Sequence, residues 1–224
     1  MKKRLTIWSG AAVLTGLAFL PLLAAFEAHV VNVTATIENA LFVHPESREF
    51  GTVFPQEYFK KGIFVTFSDS FSKTNQRRVS KVDYVIKQKP QCVNENGDFA
   101  QVGEDGNGNF VCPQGYTMRP NLCPYLSKTP ANLDGNDHGV PAFHDPNDQS
   151  SIASGTIDKN GDFVGDNWVV DLAVPCFKGQ CAQDWASFVH SLNPLADPNV
   201  YMADPLLEHK TFGCDLWVEA TKIY

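Results

Sequence analysis

Residues 79–88 read VSKVDYVIKQ. Val82, Tyr84 and Ile86 fall on one side of an extended chain, and Lys81, Asp83 and Lys87 on the other. A period of two is the mark of a strand with one face buried, because successive side chains of an extended backbone point to opposite faces. The same alternation recurs along the chain. It puts Ile63, Val65 and Phe67 on one face of GIFVTFSDSF, and Trp168, Val170, Leu172 and Val174 together in NWVVDLAV. In the closing TFGCDLWVEATKIY it groups Phe212, Cys214, Leu216, Val218 and Ala220. It also appears in VVNVTATIE at 30–38, where Val31, Val33, Ala35 and Ile37 share an apolar face opposite Asn32, Thr34, Thr36 and Glu38. Such segments, separated by Gly, Pro, Asn and Asp, predict an all-β antiparallel sandwich or barrel. One helix is predicted in AQDWASFVHSL, where Trp185, Phe188, Val189 and Leu192 recur at helical spacing and Asn193-Pro194 ends the run. It reads as a lid on the sandwich, with His190 outward.

The first 25 residues combine Lys2, Lys3 and Arg4 with an uncharged run from Leu5 to Ala25. That is the charged-then-apolar order of a secretory signal peptide, with cleavage expected after Ala25, or after Ala28 as the second choice. A run of this length can also span a bilayer, so a retained anchor is the alternative; no later segment could do so. Cleavage after Ala25 leaves 199 of the 224 residues, a suitable length for one domain. It removes three of the 18 basic residues and none of the 25 acidic ones, so the net charge moves from −7 to −10. An acidic chain without a basic cluster lacks the means to neutralise nucleic-acid phosphates. All six cysteines, Cys92, Cys112, Cys123, Cys176, Cys181 and Cys214, lie in the mature part. Behind an export signal they read as three disulfides among 15 possible connectivities, and the short gap makes Cys176–Cys181 the favoured pair. Residues 88–166, rich in Asn, Gly, Asp and Pro, are expected to form one insertion between sandwich strands, within a single domain 26–224.

Three segments look alike: NENGDF at 94–99, DGNGNF at 105–110 and DKNGDF at 158–163. In the last, Asp158, Asn160, Asp162 and Asp166 take positions 1, 3, 5 and 9 of a calcium loop. Phe163, however, stands where that loop needs glycine, and Val169 where it needs a bidentate Glu. Asn-Gly before a strand residue is also the strongest short hairpin signal, so a turn is the preferred reading and no cofactor is expected. Asp134, Asp137, His138, His144 and Asp145 are metal-capable side chains at no recognised spacing. Asn32-Val33-Thr34 is a glycosylation sequon. Nucleophile-elbow, zinc-protease and P-loop motifs are all missing from the sequence, so no enzyme is expected.

LLAAFEAHVVNVTATIENA, followed by FGTVFPQE and then IFVTFSDSF and RVSKVDYVIKQ, resembles the TasA/camelysin family of secreted biofilm-matrix fibre proteins. Ala24-Ala25-Phe26 resembles the family's processing site, Gly51 and Pro55 its following turn, and CDLWVEATKIY its last core strand. The resemblance covers roughly residues 1–90 and 167–222. The six cysteines and the insertion depart from it, as does the lack of Gly-x-Leu-Asp-Leu after the first strand. What the resemblance implies is a jelly-roll-like sandwich, secreted or at the cell surface. Copies would join into a homopolymer by donating the strand that carries Val31, Val33, Ala35 and Ile37. The alternative expectation is a monomeric surface module for a glycan or host ligand, with Trp217 as an outward aromatic contact.

Overall fold

The computed structural model describes residues 39–73, 79–119, 121–130, 139–148, 151–161 and 165–224. Contacts divide the chain into residues 1–37 and a second unit, 38–224, and the fold and the sites described below belong to the second. The segment predicted to be a signal peptide, the sequon and the 30–38 strand pattern lie outside the described residues.

Seven strands build two antiparallel sheets. One sheet runs in the order β1 (Leu41–His44), β2 (Tyr58–Phe67), β11 (Gly165–Ala173), β9 (Leu126–Pro130); the other runs β10 (Ala153–Asp158), β3 (Lys81–Lys89), β12 (Asp215–Ile223). The alternation sets which residues meet between them. Ile63, Val65 and Phe67 from β2 and Trp168, Val170 and Leu172 from β11 are buried against Val82, Tyr84 and Ile86 from β3. The fold is therefore an all-β sandwich with its core between two inner faces.

The centre of that core is polar. Trp168 Nε1 donates to Tyr84 Oη at 2.6 Å, and the Tyr84 hydroxyl donates in turn to Asp166 Oδ2. Gly155 lies opposite Tyr84 in the β10–β3 register, and a Cβ there would stand 2.5 Å from Tyr84 Oη. The missing side chain is what lets the hydroxyl and carboxylate fit.

Residues 88–166 are not one insertion. Residues 126–130 and 153–158 are β9 and β10, which belong to the two main sheets. Among the described residues the elaboration consists of small ladders in the stretch from β3 to β9: β4 (Cys92–Val93) pairs with β5 (Phe99–Ala100) and β8 (Thr117–Met118), and β6 (Gly103–Glu104) pairs with β7 (Phe110–Val111). Cys92–Cys112 ties this region together, Cys123–Cys214 joins the approach to β9 to the approach to β12, and Cys176–Cys181 closes the short loop before the helix.

A four-residue helix, α1 (Asp69–Ser72), caps β2, in addition to the expected helix, which is α2 (Trp185–Leu192). Trp185 and Val189 bury one stripe of α2 with Ala142, Phe143, Ala173 and Cys176. Phe143 holds a left-handed backbone with φ of 57° while its side chain is buried among Tyr125, Trp185, Phe188 and Tyr201. For a bulky residue this conformation costs on the order of 1–3 kcal/mol, which the ring contacts offset. It turns the 139–143 segment back over the sheet. In β12, Leu216 and Val218 pack on the core but Ala220 is exposed, and a bulge between Ala220 and Lys222 shifts the register beyond it.

Candidate functional site

The acidic repeats are turns. Asp105 Oδ1 accepts from the backbone N–H of Asn107 and of Asn109, both at 2.8 Å. Asn94 Oδ1 does the same for Asn96 and Asp98, at 2.9 and 2.8 Å. The side-chain bond from Asn109 to Asp105 is mirrored by one from Asn94 to Asp98, with acid and amide exchanged. Gly97 and Gly108 supply the positive φ that closes each hairpin. Backbone hydrogen bonds from Asn109, Asn107 and Gly108, together with the Asn109 side chain, hold the Asp105 carboxyl below its usual range, the Asn109 backbone bond contributing most. Asp158 Oδ1 likewise accepts from Asn160 N–H at 2.8 Å, while Asp166 is committed to Tyr84 inside the core. Asp162 lies outside the described residues, as do Asp134, Asp137 and His138. Of the calcium candidates, Asp158 thus serves the turn and Asp166 the core, and among the described residues no three acidic, His or Cys side chains converge on a metal-sized point.

Two other candidates change character. His190 is exposed on α2, but His144 is buried, with Nδ1 2.8 Å from the Pro141 carbonyl, while Asp145 caps the following turn. Trp217 is not an open ligand platform. Lys89 Nζ sits 3.1 Å from its ring centroid and also pairs with Glu104 at 3.6 Å and Glu219 at 3.7 Å. Lys87 joins the same carboxylates at 3.3 and 3.1 Å, so this face is a closed charge network.

Three features remain after these are set aside. The first is the margin where β1 and β12 end their sheets. Core residues of β2, β3 and β11 are almost wholly covered, yet Leu41 and Val43 of β1 and Leu216 and Val218 of β12 pack on the core while staying half-exposed. β12 is nine residues long, and among the described residues no strand pairs with its outer row of backbone groups.

The second is an unpaired amine in the interior. Lys128 lies on the inward face of β9 opposite Val170 and is 0% exposed, and among the described residues its Nζ has no hydrogen-bond partner. Loss of hydration lowers its pKa from 10.5 to about 7. Burial, and then the nearby Lys128 charge, lowers His144 from 6.5 to about 4. His144 Nε2 and Gln88 Oε1 are also buried without partners among the described residues. Sequence reading missed Lys128, because LSKTP does not alternate apolar with polar.

The third is a cavity of about 400 Å³ on the outer face of the four-stranded sheet. Tyr58, Ser127, Thr129 and Asp171 form its floor, the 139–142 segment one wall, and Ser191 and Leu192 at the end of α2 the other. Gly139 lets that wall approach the sheet, since a Cβ there would stand 2.4 Å from the Lys128 carbonyl oxygen. The Tyr58 hydroxyl donates to Asp171 Oδ2 at 2.5 Å, and burial together with this carboxylate raises the phenol pKa well above its usual value, so it stays a donor. Comparison with protein-family models, with curated proteins and with solved structures finds no match to this chain.

Proposed function

We propose that this chain is a secreted structural subunit, assembled into an extracellular fibre by strand donation. The donated segment is residues 26–38, whose apolar side carries Val31, Val33, Ala35 and Ile37. It would be received along β12 of a neighbouring copy. The observation that carries this reading is the half-covered margin formed by Leu41, Val43, Leu216 and Val218. A jelly roll has about eight main strands, and the described residues of the sandwich supply seven. An added strand gains main-chain bonds along the open edge while alternate side chains cover the margin. Each Val or Ile so buried contributes about 1.5–3 kcal/mol. A donor and an acceptor on different parts of one chain make a head-to-tail contact, which gives filaments when it does not close. Three disulfides fit an oxidising compartment.

The test is removal of residues 26–37 from the exported protein, followed by sedimentation and negative-stain imaging. The truncated chain is expected to stay folded, soluble and monomeric, and to bind a synthetic peptide of the missing residues. Filaments that persist without them would rule out strand donation. A full-length processed protein that stays monomeric would end the fibre reading.

A further inference from the structure

We propose that the cavity between α2 and the outer face of the four-stranded sheet binds an amino sugar, with Asp171 taking its ammonium group. Asp171 is 6% exposed; Oδ2 is held by Tyr58, but among the described residues Oδ1 has no donor. A buried carboxylate oxygen without a donor is costly, and a charged donor satisfies it best. Among the described residues none provides that donor. Lys60, opposite Asp171 in the register, is exposed and holds its Nζ 5.3 Å from the Tyr58 ring centroid. Among the described residues, no ion pair includes Asp171.

The remaining walls narrow the ligand class. Hydroxyl side chains of Ser127, Thr129 and Ser191 face an apolar side made by Val140, Pro141 and Leu192. A polyhydroxylated ring offers both groups and C–H faces to such a site, whereas a plain polyamine leaves the hydroxyls unused. A neutral sugar leaves the carboxylate charge unbalanced. The volume lies within the roughly 300–1,000 Å³ usual for small-molecule sites.

The experiment is calorimetric titration of the full mature chain with a β-linked glucosamine tetramer, its fully N-acetylated form, the corresponding glucose tetramer and spermidine. The free-amine sugar is expected to bind at least tenfold more tightly than the other three, with at least a tenfold loss in Asp171→Asn. Ser191→Arg, at the exposed end of α2, is expected to cause a comparable loss with an unchanged melting temperature, and it decides the matter if Asp171→Asn does not fold. Equal affinity for the acetylated or neutral sugar, or spermidine binding as tightly as the amino sugar, overturns the proposal. So does binding that survives in the folded variants, or no binding at all.

Discussion

Lys128 shows how far one residue can depart from its pattern. Its strand neighbours bury apolar groups on the same face, and the amine goes in with them. An amine without a counter-charge is tolerated inside because it can give up its proton. The folded pKa lies below the unfolded one, so the unfolded chain binds the extra proton and stability falls on acidification. For Lys128 the loss develops as the pH drops from about 10.5 to about 7, and it is complete below that. For His144 it develops between 6.5 and about 4. Thermal melts across this range should fall in two steps toward acid. Lys128→Met should remove the upper step, keep the lower one and raise the melting temperature at neutral pH. A wild-type melting temperature that is flat from pH 10 to pH 7 would contradict the neutral amine.

At the scale of elements, the repeated Asn-Gly segments are self-contained. In each, one side-chain oxygen satisfies backbone donors that the turn would otherwise leave unpaired. That geometry needs no cation, which is why acid and amide can change places between Asn94/Asp98 and Asp105/Asn109. Asp158→Ala is therefore expected to cost less than about 1 kcal/mol, equally in calcium and in chelator. A melting shift of several degrees on chelation, abolished by the substitution, would restore the calcium reading. These turns were legible in the sequence because every interaction that makes them lies within five residues. β10 was not. Its inward positions, Ala153, Gly155 and Ile157, are mostly small because Tyr84 and Trp168 fill the space above them, so the apolar signal of a buried strand is weak.

For the whole molecule, the disulfides divide the work unequally. Cys176–Cys181 closes a separation of 5 residues, Cys92–Cys112 one of 20 and Cys123–Cys214 one of 91. On the loop-closure model these remove denatured-state entropy worth about 2, 3 and 4.5 kcal/mol respectively. Replacing Cys123 and Cys214 together by alanine should therefore lower the denaturation midpoint most, and the Cys176/Cys181 pair least. Urea melts of the three double variants give the order directly, and a reversed order would show that strain or residual denatured structure outweighs loop length.

The sequence by itself determined the sandwich class, the inward faces of β2, β3 and β11, the span of α2 and its stop at Asn193-Pro194. Each of these follows from a period or a local stop that the backbone imposes over a few residues. Only the tertiary structure decided that β9 and β10 belong to the main sheets. The joining of Cys123 to Cys214, the burial of Lys128 and the floor that Asp171 forms under α2 were decided there too. Those outcomes depend on which distant segments arrive beside a residue. A side chain's burial and its hydrogen-bond partners belong to that meeting, and no local period encodes it.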